Sequence, residues 1–188
     1  IIPVAASERR EAVIAYVNLY NDTGRCYNGL DDLDWGDNYA GSLASQLNTW
    51  GYDYVNAPAN IGVNHDEWAD EIYDGDGVDD VAPYGVDTAD VFFFFGHGAW
   101  GKANNEYYYS SVWMGSPSSA DGECNLRWGE FGSGRDAYWG NGDLEYGFFN
   151  SCESGETPII ALRDYRCPSD DCLVVSLRWR RLFPVRNG

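Results

Sequence analysis

Lysine is all but missing from this chain. Lys102 is the only one in 188 residues, arginine brings the basic total to 12, and Asp plus Glu reach 30. The net charge of −18 would repel phosphate over most of the surface, which excludes nucleic acid as the main partner. No apolar run approaches the roughly 20 residues of a membrane-spanning helix; Val91 to Phe95 is only five residues long. There is no Cys-x-x-Cys pair, and His65, one of two histidines, has no near partner in sequence, so zinc is not expected. The chain begins at Ile1 with neither a basic stretch nor the apolar core of an export signal. It therefore reads as a processed or trimmed chain whose export signal, if it had one, is absent.

What is present marks a folded domain. Apolar residues make up 44% and aromatic residues 16%, with 8 Trp and 14 Tyr, a composition foreign to acidic disordered tails. The length suits a single domain spanning 1–188. An acidic surface of this kind fits a calcium-bearing secreted protein, a high-salt environment or an enzyme for basic substrates. Five cysteines, Cys26, Cys124, Cys152, Cys167 and Cys172, leave at least one thiol over unless it bridges to another chain. Four of them pairing would point to an oxidising, extracellular setting.

Periodicity along the chain predicts alternating strands and helices. Glu11–Tyr20 reads as a first, central strand, and Tyr39–Trp50 as a helix with Ala40, Leu43, Leu47 and Trp50 on one face and Gly51 as its stop. Tyr52–Val55 reads as a short strand and Asp66–Tyr73 as a helical turn or two. Asp90–Phe95 and Leu144–Asn150 have the continuous apolar character of strands buried on both faces. Between them, residues 99–142 are aromatic, Gly-rich and polar, and are expected to form an insertion with one or two hairpins. Its Trp and Tyr, around Trp100–Trp113 and Trp128–Trp139, read first as core and hairpin packing and second as a sugar- or peptide-binding groove. Pro158–Tyr165 reads as a helix and Cys172–Leu177 as a last strand. The expected class is α/β around a mostly parallel sheet.

In such sheets the working residues lie just beyond the carboxyl ends of strands. After Asp90–Phe95 comes Gly96-His97-Gly98, and after Leu144–Asn150 comes Ser151-Cys152-Glu153-Ser154-Gly155. A lone histidine there is more often a hydrogen-bonded structural residue, and a lone cysteine a small buried hydrophobe. Together, 55 residues apart and each after a buried strand, they make a more specific pattern. Cys152 is the expected nucleophile and His97 the general acid/base. The N–H groups of Gly98 and Cys152 are the candidates for an oxyanion hole.

DVFFFFGHG followed by LEYGFFNSCESGE resembles the caspase-fold cysteine peptidases of clan CD, which include legumains, caspases and gingipains. The SCESG segment is similar to the surroundings of the legumain nucleophile, and WGNGDLEY before it is similar to an uncharacterised bacterial branch of caspase-like domains. The resemblance implies a three-layer caspase-like sandwich with its core at 11–155, the aromatic insertion lying between the His and Cys strands. It also implies a His97–Cys152 dyad that needs no cofactor for its chemistry, hydrolysing peptide or protein substrates. The acidic surface favours cationic ones. Residue 151 is Ser where that family usually has Ala, and the 36 residues after Cys152 are few for the later strands of such enzymes.

Two further constellations stand apart from the dyad. The loop Asp74-Gly-Asp76-Gly-Val-Asp79-Asp80 alternates carboxylates with glycine, as calcium loops do; a solvated Asp/Gly turn is the equal alternative. Cys167 and Cys172 are near enough to bridge a Pro-containing turn, which leaves Cys26 with Cys124 and frees Cys152, one of several connectivities. Charge is also uneven. Residues 1–162 hold 27 acidic and 6 basic residues, a net of −21, and segment 163–188 holds 6 basic and 3 acidic, a net of +3. The basic end could shield a strand edge or contact a neighbouring copy. The rival reading is therefore a catalytically silent extracellular structural or binding protein, self-assembling through that asymmetry.

Overall fold

The strand Glu11–Tyr16 (β1) lies at the middle of the molecule because Ala12, Val13, Ile14 and Ala15 are all buried, leaving no face for water. In the computed structural model, which describes residues 9–20, 26, 30–83, 85–103, 107–129, 136–137, 139, 144, 146–151 and 173–176, ten further elements follow. They are helix α1 (Gly36–Thr49), β2 (Tyr54–Asn56), two short 3₁₀ turns (Asn60–Gly62 and Val86–Thr88), β3 (Val91–Phe95), β4 (Gly98–Ala103), β5 (Tyr107–Trp113), β6 (Asn125–Gly129), β7 (Tyr146–Asn150) and β8 (Leu173–Ser176).

Five strands form one sheet in the order β2-β1-β3-β7-β8, every neighbouring pair parallel. The α/β class with a parallel sheet is therefore observed. β4, β5 and β6 form a separate antiparallel sheet, the hairpins expected within 99–142. The expected strands and helix are present with shifted ends. β1 stops at Tyr16, four residues early, and α1 runs from Gly36 to Thr49. Trp50 thus leaves the helix and is 58% exposed, contrary to its expected place on the buried face. Asp66–Tyr73 makes isolated turns, closed by Ala69 N–H to His65 O and Asp74 N–H to Asp70 O, and no helix.

Alternation of side chains assigns the two faces of the parallel sheet. On one side Ala12, Ile14, Val91 and Phe95 meet Ala40 and Leu47 of α1, with Leu43 and Ala44 partly buried beside them. The helix begins against Asn18, whose side-chain oxygen accepts the Gly36 N–H at 3.1 Å. It ends where Gly51 takes φ +82°, the left-handed geometry that glycine adopts without strain. On the other side Val13, Ala15, Phe92, Phe94 and Phe149 meet Trp68, Trp128, Trp139, Val112 and Leu126. Burying each aromatic ring of this set contributes about 2–3 kcal/mol. Gly147 has no side chain because a Cβ there would stand 2.5 Å from the Phe92 ring. Trp128 and Trp139 are core residues, the first of the two readings given to the insertion aromatics.

Segments 152–172 and 177–188 lie outside the described residues, and with them the expected helix Pro158–Tyr165, the Cys167–Cys172 pairing and the arginines of the basic end.

Candidate functional site

The strand order itself singles out an edge. The chain runs from β1 outward to β2 on one side and from β3 to β7 and β8 on the other, so connections diverge between β1 and β3. In open parallel sheets a crevice forms at the carboxyl end of such a switch point. Here that edge is made by the residues following Tyr16 and Phe95, tied by Val17 N–H to Phe95 O at 2.9 Å. His97 follows after Gly96.

Three contacts fix His97. Its backbone N–H donates to the Tyr20 hydroxyl at 2.9 Å, its carbonyl accepts Trp113 N–H at 3.0 Å, and its Nε2 lies 2.8 Å from the Asp31 backbone oxygen. A carbonyl only accepts, so Nε2 carries the proton and neutral His97 keeps its lone pair on Nδ1. The rings of Tyr20 and His97 meet edge-on, centroids 4.5 Å apart. Tyr20 is 2% exposed, and burial raises its pKa far above the ordinary phenol value; the His97 N–H contact opposes this only in part. Its hydroxyl therefore stays protonated, accepting from His97 and donating to Trp113 O at 3.4 Å. Gly96 is required by the same packing, because a Cβ there would sit 2.6 Å from the Tyr20 hydroxyl.

The neighbouring strand ends level with this one. Phe95 of β3 pairs with Asn150 of β7, and Gly96 N–H reaches Asn150 O at 3.4 Å. His97 and Cys152 are thus each the second residue beyond a paired position. Cys152 itself lies outside the described residues; Ser151, the last before it, is buried. The His97–Trp113 pair is hydrogen-bonded, so alternation makes Gly98–Val112 a non-bonded pair and turns the Gly98 N–H away from β5.

The loop bearing Asp31 is held from several sides. Cys26 and Cys124 form a disulfide across 98 residues, one of the connectivities open in the sequence. Tyr20 N–H donates to Asp32 Oδ1 at 2.7 Å, and Leu33 N–H to Asn18 O at 2.8 Å. Neither Tyr20 nor Asp31 carries a motif; only their contacts identify them.

A second concentration of chemistry occupies the segment between β2 and β3. The aspartates Asp74, Asp76, Asp79 and Asp80, expected to share one calcium loop, do not converge. Asp74 Oδ2 stands 3.3 Å from His65 Nδ1, and Asp76 is bonded by the Ser119 hydroxyl at 2.9 Å. Asp79 and Asp80 instead group with Glu71, from the preceding turn. Gly77 packs closely against the backbone of Ala69 and Gly85 against that of Asp79. A shallow cleft lined by Asp66, Asp76, Val78 and Ser119 opens here, away from His97.

His65 likewise differs from its expected isolation. It is 1% exposed and lies among three carboxylates, Asp74 at 3.3 Å, Asp66 at 3.8 Å and Asp136 at 3.9 Å. Asp66 is further bonded by Ser119 N–H and Oγ, and Asp136 by the Arg127 guanidinium. Asp79 has no comparable partner base among the described residues. It is fully buried, and burial, reinforced by Asp87, Asp70, Asp80 and Glu71, pushes its carboxyl up to about 9.

Against known protein families, curated proteins and solved structures, the chain finds no match.

Proposed function

We propose that this protein is a secreted cysteine endopeptidase of caspase-like type, with Cys152 as nucleophile and His97 as general acid/base. The observation that carries the reading is the β3–β7 register, in which Phe95 and Asn150 pair and His97 and Cys152 follow at the same remove. The Asp31 carbonyl adds to it by holding the proton on Nε2 and leaving Nδ1 basic. The Cys26–Cys124 disulfide supports an oxidising, extracellular setting.

In the proposed reaction His97 takes the thiol proton as Cys152 Sγ attacks the scissile carbonyl. The oxyanion accepts hydrogen bonds from the N–H groups of Gly98 and Cys152. Collapse breaks the C–N bond, His97 protonates the departing amine, and a thioester remains on Cys152. His97 then removes a proton from water, which attacks the thioester, releases the acid and returns the thiol. No metal or organic cofactor enters these steps. The net charge of −18 favours cationic peptides as substrates.

The test is covalent labelling by peptidyl acyloxymethyl ketones bearing Arg, Lys, Asn or Asp next to the warhead. Labelling is expected in the wild type, absent in Cys152→Ala, and slowed by about 10²-fold or more in His97→Asn. A folded, disulfide-intact, calcium-supplied protein that no probe labels would sink the peptidase reading and leave the silent structural or binding protein in its place.

A further inference from the structure

Buried carboxylates are ordinarily paired with a base or served by hydrogen-bond donors, because an unpartnered one loses its hydration for nothing. Asp79 breaks this rule. It is 0% exposed, and among the described residues neither carboxylate oxygen has a hydrogen-bond partner. Among the described residues, the charged groups acting on it are acidic: Asp87, Asp70, Asp80 and Glu71. Asp70 and Asp87 are themselves 0% exposed. The nearby histidine does not relieve this, since His65 faces Asp66, Asp74 and Asp136.

Glu71, Asp79 and Asp80 each place one carboxylate oxygen within 4.8 Å of the others. Two oxygens bound to the same calcium ion at 2.3–2.6 Å stand at most about 5 Å apart, so the three fit around a single ion. We propose that Glu71, Asp79 and Asp80 hold one calcium ion, with Asp70 and Asp87 supplying further negative potential behind it.

The donor set selects the metal. All three ligands are carboxylate oxygens and none is imidazole or thiolate, which suits a hard cation over zinc or copper. The ligands sit on turns, without a helix to impose rigid octahedral geometry, and calcium tolerates such irregular shells better than magnesium does. Glu71 and Asp80 are exposed, which gives the ion an entry path and room for water ligands.

The ion would clamp a specific piece of backbone. Asp79 N–H bonds Ala69 O at 3.2 Å, Asp87 N–H bonds Asp79 O at 2.7 Å, and Val86 N–H bonds Glu67 O at 2.9 Å. These links join the turns that carry Trp68, Ala69 and Val86 into the core beneath the parallel sheet. Bound calcium neutralises the acids at the centre of that crossing and so stabilises the packing of Trp68.

The experiment uses the full chain, stripped with EDTA, then titrated with calcium or terbium. Terbium luminescence excited through tryptophan is expected to appear and to be displaced by calcium. The melting temperature should rise by ~5–10 °C at calcium a hundredfold above its Kd. Asp79→Asn should lose both responses, and Glu71→Gln, at an exposed position that does not threaten folding, should weaken calcium ~tenfold or more. Asp76→Asn, whose partner is Ser119, should keep both responses. Equal melting temperatures in calcium and EDTA without terbium luminescence would overturn the proposal. So would a calcium response that survives in both Asp79→Asn and Glu71→Gln. Neither readout depends on Cys152 or on labelling, so this proposal and the peptidase reading stand or fall separately.

Discussion

Tyr20 carries the position of His97 through one hydroxyl that accepts the His97 N–H and donates to Trp113 O. Tyr20→Phe keeps the ring and its edge-on contact while leaving the His97 N–H without its acceptor. The expected cost is about 1–3 kcal/mol, read from the urea midpoint, with slower probe labelling of Cys152. Unchanged stability and labelling would show that the Asp31 and Trp113 contacts hold His97 without Tyr20. Asp79 gives the opposite kind of prediction, one of pH. Its folded-state carboxyl titrates near 9, against ~3.9 for an unfolded aspartate. Between those values the folded, metal-free chain binds a proton that the unfolded chain has released. The contribution of Asp79 to stability in EDTA should therefore be fully present below about pH 4 and be lost as pH rises towards about 9. Asp79→Asn should flatten that slope; an equally steep slope in the variant would assign it to other groups.

Among the elements, those readable from sequence are the ones whose neighbours impose a simple pattern. β3 is VFFFF, buried on both faces, and only a central parallel strand makes that run tolerable. The Gly-His-Gly that follows was legible for the same reason, as the first break after a buried strand. Helix α1 showed in the spacing of Ala40, Leu43 and Leu47, though not in its start, which depends on Asn18 arriving from another segment. The acidic loop was legible as composition and not as geometry. Glu71 joins Asp79 from a different turn, and His65 finds Asp136 71 residues away, so no local spacing encodes either. Tyr20 and Asp31 were hidden because their roles run through a hydroxyl and a backbone carbonyl that any motif would overlook. The disulfide makes the loop between β1 and α1 testable as a unit. Cys26→Ser with Cys124→Ser reopens a 98-residue closure and should cost about 2–5 kcal/mol in thermal unfolding. It should also slow labelling of Cys152, since that loop presents the Asp31 carbonyl to His97. Labelling at the wild-type rate in a folded double variant would detach the loop from the site.

At the scale of the whole molecule, the net charge of −18 bears on encounter more than on bond making. A field of one sign raises the local concentration of oppositely charged ligands and speeds their association by ~10–10³-fold at low ionic strength. Screening shortens its reach from about 30 Å at 0.01 M salt to about 3 Å at 1 M. If the proposed site draws cationic peptides, the salt dependence must appear in the second-order labelling rate and must follow probe charge. An arginine-bearing acyloxymethyl ketone should lose ~10-fold or more of its rate between those salt concentrations. An uncharged probe with the same warhead meets the same thiol without the field, and its rate should change less than ~2-fold. Calcium must be held saturating throughout, because an ion bound among Glu71, Asp79 and Asp80 would itself remove part of the field. Parallel salt dependence for the two probes would mean that salt acts on the fold, and the acidic surface would then have no part in choosing the substrate.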